Sequence, residues 1–99
     1  PPVSAHPVAK EDLALVVDEA VPSAAIAAAI RAGAGELLES VRLFDIYRGT
    51  PVPAGRKSCA FALRFRAPDR TLKDAEIAAA RAGAVAAAVE RCGAELRDF

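Results

Sequence analysis

The chain has 99 residues, a length that fits one domain and excludes a multidomain enzyme. Its 13 basic and 13 acidic side chains give a formal net charge of zero. By itself, that balance argues against a nucleic-acid-binding domain, since such domains are usually basic. With two cysteines and one histidine there is no zinc motif or disulfide framework, and we expect Cys59 and Cys92 to be small buried hydrophobes in a reducing compartment.

Hydrophobic residues make up 54% of the chain, but charges interrupt every apolar stretch, so no membrane span is predicted. The sequence begins Pro1-Pro2 and contains no methionine. We therefore expect a fragment of a larger chain: one domain over residues 1–99, with an ordered core at about 7–97.

The first half of the chain predicts a strand, a helix and a strand. Apolar residues alternate over 12–18, which is typical of a half-buried strand. An alanine-rich segment follows, with Ser23 as the expected N-cap and Gly33 or Gly35 as the stop. Residues 41–47 predict the second strand.

The second half predicts a hairpin loop, a strand, a helix and a short strand. The strand at 57–66 alternates clearly, with Cys59, Phe61, Leu63 and Phe65 on one face. The remaining predicted elements are a Gly- and Pro-containing loop at 49–55, a helix capped by Asp74 and ending at Gly93, and a last strand at 94–97.

This order predicts an α+β, ferredoxin-like βαββαβ fold: a four-stranded antiparallel sheet with two helices on one face. If Leu13, Phe44 and Phe61 face the helices, the other face of the sheet is open. Its expected residues are Asp12, Ala14, Val16, Asp45, Tyr47, Ser58, Ala60, Ala62 and Arg64.

Signals for catalysis are weak. His6 is the only histidine and lies in an expected irregular leader, and no glycine-rich phosphate-binding motif occurs. Acylphosphatase-like chemistry on this fold would use an asparagine, and the chain has neither Asn nor Gln. We expect no catalytic residue, metal or cofactor in these 99 residues.

Signals for binding are stronger. Asp45 and Tyr47 are two apart on one strand, so their side chains leave the same face, near Ser58 across the hairpin. Tyrosine can stack on an unpaired base, and a carboxylate can accept both N1–H and the 2-amino group of guanine. The cations expected to meet phosphates are Arg48, Lys57, Arg64 and Arg66. In the alternative that the residues leave open, Tyr47 covers the sheet and Asp45 pairs with an arginine.

The charge distribution supports binding even though the total does not. Residues 42–73 carry eight basic and two acidic side chains, whereas the segments on either side are acidic. The positive block coincides with the central hairpin and the loop after it. The neutral total still predicts feeble non-specific affinity for RNA.

Three sequence blocks carry a family resemblance. They are LFDIYRG at 43–49, GRKSCAF at 55–61 and FRAPDRTLKD at 65–74. Together they closely resemble the ferredoxin-fold anticodon-binding domain at the C-terminus of the β subunit of bacterial phenylalanyl-tRNA synthetase. The resemblance runs from about residue 7 to 97.

This resemblance implies a non-catalytic module that binds the anticodon of tRNA(Phe), whose first base is guanine, through Asp45, Tyr47 and Ser58. It also implies a cytoplasmic class II aminoacyl-tRNA synthetase as the parent, in which ATP, magnesium and phenylalanine are handled elsewhere. The implied partners are the other β-subunit domains and the α subunit of an (αβ)2 heterotetramer. A single-chain organellar enzyme is the alternative parent.

The chain departs from the family pattern at three positions. His6 stands where an aromatic residue is usual, and Glu11 stands where a basic or amide residue is favoured, which places acid beside Asp12. Lys73 replaces a threonine that often caps the second helix, so Asp74 is expected to cap it.

Two other functions stay open. Residues 57–65 faintly resemble an RRM motif, which would make the chain a general RNA binder, but Ser58, Ala60 and Ala62 stand where stacking aromatics are expected. Many ferredoxin-like domains instead use the sheet to bind proteins or small ligands.

Overall fold

The computed structural model describes residues 6–97, which form four strands and two helices in the predicted order. The sheet is antiparallel with strand order β2-β3-β1-β4, so the α+β, ferredoxin-like prediction is confirmed. The elements are β1 Ala9–Asp18, α1 Ser23–Ala34, a 3₁₀ turn Gly35–Leu37, β2 Leu38–Tyr47, β3 Arg56–Phe65, α2 Asp74–Cys92 and β4 Glu95–Leu96.

The core lies between one face of the sheet and the two helices. The alternation predicted for β3 is confirmed, since Cys59, Phe61, Leu63 and Phe65 are all buried. They pack with Leu13, Leu15 and Val17 of β1 and with the inner sides of the helices, including Ile26, Ile30, Ala84 and Ala88. The small alanines let the helices lie close to the sheet, so a modest number of large side chains fills the core.

Both predicted N-caps are wrong by one residue. Helix α1 is capped by Pro22, whose carbonyl accepts from the N–H groups of Ala25 and Ile26, and Ser23 is already helical. Helix α2 is capped by Lys73, whose backbone N–H donates to the Glu76 carboxylate at 3.2 Å. The Pro22 carbonyl at α1 and the Glu76 carboxylate at α2, and not the Ser23 and Asp74 side chains, therefore make the contacts at the helix starts. Within residues 6–97, neither helix is long and apolar enough to cross a membrane.

Gly35 ends α1, while Gly33 has a different role. A Cβ on Gly33 would lie 2.1 Å from the carbonyl oxygen of Gly83 in α2, and a Cβ on Gly83 would lie 2.3 Å from the carbonyl oxygen of Gly33. These distances are shorter than van der Waals contact. The two helices therefore cross backbone to backbone, at a point where only glycine fits.

The prediction that Phe44 faces the core is wrong. Leu43 pairs with Phe61, and the next pair in the ladder joins Asp45 to Ala60, so Phe44 is an extra residue in a β-bulge and is 47% exposed. Because the bulge resets the alternation, Leu43 lies on the core face while Asp45 and Tyr47 lie on the open face. Strict alternation along β2 would put Leu43, Asp45 and Tyr47 on the same face. It therefore cannot predict both the core residue and the two open-face residues.

Candidate nucleic-acid interface

The three residues singled out from the sequence lie on the open face, at the hairpin end of β2 and β3. Tyr47 pairs with Ser58, and Asp45 pairs with Ala60 one row further from the loop. Side chains directly opposite each other in an antiparallel pair leave the same face of the sheet. The structure thus brings Asp45, Tyr47 and Ser58 together as predicted, but Ser58 is buried, at 2% exposure, so only Asp45 and Tyr47 are exposed there.

The Tyr47 ring is held in place at two points. Its hydroxyl donates to the carbonyl oxygen of Thr50 at 2.8 Å, and the guanidinium carbon of Arg97 lies 5.1 Å from the ring centroid. That separation is typical of a cation–π contact. Tyr47 as a whole residue is 39% exposed, so part of it remains accessible to a ligand.

Arg97 is a site residue that the sequence analysis missed. Its backbone N–H donates to the Ala14 carbonyl at 2.9 Å, next to β4, and its Nη1 lies 3.3 Å from Ser58 Oγ on the far side of β1. The side chain thus spans β1 and joins Ser58 to the Tyr47 ring. In the sequence, Arg97 is recognisable only as a basic residue at the end of the last predicted strand. Its contacts with Ser58 and Tyr47 depend on the pairing of β4 with β1, which the sequence does not show.

Asp45 presents its carboxylate to solvent at the edge of the candidate interface. It is exposed, and among residues 6–97 it has no hydrogen-bond or ion-pair partner. The alternative in which it pairs with an arginine is therefore not what the structure shows. Because Ala60 opposite it is small, the face beside the carboxylate is open to a planar ligand.

Two of the predicted phosphate-binding cations are held by Glu19, in the turn after β1. Arg48 donates to both carboxylate oxygens of Glu19, and Lys57 Nζ lies 3.7 Å from one of them. The hydrogen bonds with Arg48 lower the pKa of Glu19 and raise the pKa of Arg48. Lys57 is also buried, at 7% exposure. Binding a phosphate with either cation would require breaking these contacts.

The other two cations are held by Glu39, the extra residue of a second bulge in β2. Arg66 Nε lies 3.1 Å from one Glu39 oxygen, and Arg64 Nε lies 3.6 Å from the other. Arg64 is on the open face beside Ser40, and its side chain is 43% exposed. Among the four, Arg64 is therefore the cation best placed to contact a ligand on this face.

The cysteines and the histidine lie apart from the candidate interface. No group of three His, Cys, Asp or Glu side chains within the described residues could hold a metal ion. Cys59 is fully buried as predicted, and burial raises the pKa of its thiol, whereas Cys92 is only half-buried. His6 lies in a bend before β1.

Glu11, one of the three departures from the family pattern, faces away from the interface. It pairs with Leu63 in the row on the helix side, and its carboxylate lies 3.6 Å from Arg81 Nε of α2. The acidic neighbour of Asp12 is therefore neutralised by α2 and does not add negative charge to the open face.

Comparison with known proteins gives a consistent result. The family model described as "Ferredoxin-fold anticodon binding domain" matches residues 4–97. The chain is 60% identical over 98 residues to the phenylalanine–tRNA ligase β subunit of Streptomyces avermitilis and 61% identical over 97 residues to that of Thermobifida fusca. The Mycobacterium leprae β subunit is 52% identical over 97 residues.

These alignments cover nearly all of this chain but little of the relatives. They include 98% or 99% of the chain and 12% of the length of each of these three β subunits. The chain therefore corresponds to a small part of each relative.

Proposed function

Because the chain belongs to the ferredoxin-fold anticodon binding domain family, we propose that its open sheet face binds the anticodon of tRNA(Phe). The guanine that begins this anticodon stacks on Tyr47, and its N1–H and 2-amino groups donate to Asp45. Ser58 and Arg97 hold the stacking surface in place. The observation that carries the proposal is the Asp45 carboxylate, which has no partner within residues 6–97, beside an exposed tyrosine on the same face.

The proposal extends to the parent protein through the relatives' names. We propose that this chain is part of a phenylalanine–tRNA ligase β subunit that works with an α subunit in an (αβ)2 assembly in the cytoplasm. ATP, magnesium and phenylalanine bind elsewhere in that assembly. The present domain supports aminoacylation by orienting the tRNA, and it performs no chemistry of its own.

Guanine selectivity follows from the hydrogen-bonding edges. An ionised carboxylate only accepts hydrogen bonds, and adenine and uracil lack two adjacent donors on the Watson–Crick edge. Replacing guanine leaves Asp45 facing at least one acceptor, which loses a bond and adds repulsion. Because the carboxylate is exposed, we expect a discrimination of about 1–3 kcal/mol rather than absolute exclusion.

The test is Asp45→Ala in the complete synthetase, with kcat/KM measured for tRNA(Phe) transcripts that carry guanine or adenine at the first anticodon position. We expect the variant to lose about 5–150-fold on the guanine transcript, the equivalent of 1–3 kcal/mol, and little on the adenine transcript. Glu90→Ala is the matched control, because it removes one exposed acid from α2 on the other side of the sheet. Unchanged efficiency and unchanged discrimination in the Asp45 variant would exclude this mechanism.

A further inference from the structure

We propose that the end of the open face away from the hairpin is a second subsite, which binds backbone phosphates of the same RNA strand through Lys10 and Arg42. The inference rests on the proposed function, since it takes the RNA to be bound at Tyr47. It assigns phosphate binding to two cations outside the set predicted from the sequence.

The subsite is a cavity of about 390 Å³ on the open face. Two adjacent rows of the sheet supply its polar side chains: Ser40, Arg64 and Lys10 in one, and Arg42 and Asp12, flanking Ala62, in the other. Because Ala62 is small, it forms the floor of the cavity, and the longer charged side chains stand around it. This shape suits a compact, multiply hydrogen-bonding anion.

Lys10 and Arg42 can bind a phosphate without leaving another partner, unlike Arg48 and Lys57. Lys10 and Arg42 are both exposed, and neither has an ion-pair partner within residues 6–97. Arg48 and Lys57, by contrast, are bound to Glu19. A phosphate at the cavity gains charge-assisted hydrogen bonds without breaking an existing pair.

The cavity also contains acid. Asp12 lies opposite Ala62, and Glu39 lies 3.6 Å from Arg64 Nε. Of the charged side chains that line the cavity, three are basic and one is acidic. The net positive charge of the cavity is therefore modest. Such a subsite strengthens the binding of an RNA whose base is already held at Tyr47, and it does not bind RNA without that base.

The spacing along β3 fits one continuous strand of RNA. Ser58 and Arg64 are six residues apart, a distance of about 20 Å along a β-strand. Charges in a stacked nucleic-acid strand recur every ~3.4 Å along its axis, so about six stacked nucleotides, or fewer in an extended strand, cover that distance. An RNA strand that continues for that length from a base on Tyr47 reaches Lys10 and Arg42.

The test is the double substitution Lys10→Ala and Arg42→Ala in the complete synthetase, with tRNA(Phe) affinity measured against salt concentration. Removing two phosphate contacts to single-stranded RNA lowers the slope of log K against log [salt] by about 1.4. Between about 50 and 200 mM salt, the unmodified enzyme then loses about sevenfold more affinity than the variant. Preference for the first anticodon base should not change, because phosphates carry no sequence information.

The matched control is Arg31→Ala with Arg91→Ala, which removes two exposed arginines from the helices while leaving the open face intact. The inference is overturned if the open-face variant keeps the parental slope, if the helix control changes the slope equally, or if the variant weakens subunit association instead of RNA binding. Asp45→Ala separates the two proposals: if it lowers affinity and the double variant keeps the parental slope, only this inference fails. If neither affects binding, the proposed function fails as well.

Discussion

The Glu19 carboxylate accepts two hydrogen bonds from the guanidinium of Arg48, 29 residues away in sequence. Glu19 lies in the turn after β1, and Arg48 begins the loop of the β2–β3 hairpin. The Glu19 backbone N–H also donates to the Gly55 carbonyl at 2.9 Å, at the other end of that loop. The base of the hairpin is thus attached to the β1–α1 turn, next to the candidate interface.

This attachment predicts an acid-sensitive stability. Arg48 holds the pKa of Glu19 below its ordinary value of 4.5. A carboxyl group whose pKa is lower in the folded state stabilises the fold at a pH above its unfolded pKa, and this contribution is lost as the pH falls through its folded pKa. We therefore expect stability to drop on acidification below about pH 4.5, and to drop less in Glu19→Gln.

Urea unfolding midpoints at neutral pH and at pH 3 measure this effect. Glu19→Gln should be less stable than the parent at neutral pH, because the buried Lys57 also loses its ion-pair partner. The two should converge at low pH. Glu90→Gln, at an exposed position of α2, is the control. If the unfolding midpoints of the parent and both variants changed identically with pH, the role of Glu19 would be contradicted.

The helix crossing predicts that Gly83→Ala is destabilising, contrary to the usual effect of alanine in a helix. Alanine is favoured over glycine by about 1 kcal/mol in a helix interior. The added methyl group would, however, lie 2.3 Å from the Gly33 carbonyl oxygen, and overpacking of this kind typically costs ~1–3 kcal/mol. We expect a net loss of stability of up to about 2 kcal/mol in urea unfolding.

The control for this prediction is Ala86→Gly at an exposed position of the same helix. That change alters helix propensity alone, and it should cost about 1 kcal/mol. A Gly83→Ala protein that gains the same amount would show that the helices do not need the close contact.

The two cysteines are expected to differ in reactivity. Cys59 is fully buried, and burial raises the pKa of its thiol, so the reactive thiolate is both scarce and inaccessible. Cys92 is half-buried at the end of α2. A thiol reagent at neutral pH should label one equivalent in the folded chain and the second only on unfolding. Cys92→Ser should abolish the first phase, and rapid labelling of that variant would be inconsistent with the structure.

Tyr47 is the only tyrosine, and the chain has no tryptophan, so its fluorescence reports directly on the candidate site. We expect a guanine-containing anticodon stem-loop to quench this fluorescence as the base stacks. Arg97→Ala removes a cation–π contact worth about 0.5–1 kcal/mol. The RNA concentration that gives half-maximal quenching should therefore be about two- to fivefold higher for this variant than for the parent. Arg31→Ala should leave the titration unchanged, and superimposable curves for the parent and Arg97→Ala would argue against a role for Arg97.

Local sequence patterns were enough to predict the elements and most of the core. The alternation of Cys59, Phe61, Leu63 and Phe65 identified the central strand because one buried face imposes a period of two. The same logic failed at Phe44, where a bulge breaks the period. The ion pairs of Glu19 and Glu39, and the contact of Arg97 with Ser58, join residues far apart in sequence. They depend on strand order and register, so neither composition nor spacing reveals them.

The bulge at Phe44 also determines which length changes the interface tolerates. Phe44 has no partner in the ladder, so deleting it would restore a regular strand and leave Asp45 opposite Ala60 and Tyr47 opposite Ser58. A deletion or insertion between Asp45 and Tyr47 would instead turn one of these side chains to the core face. Phe44 can therefore be deleted without loss of the binding face, whereas Ile46, between Asp45 and Tyr47, cannot.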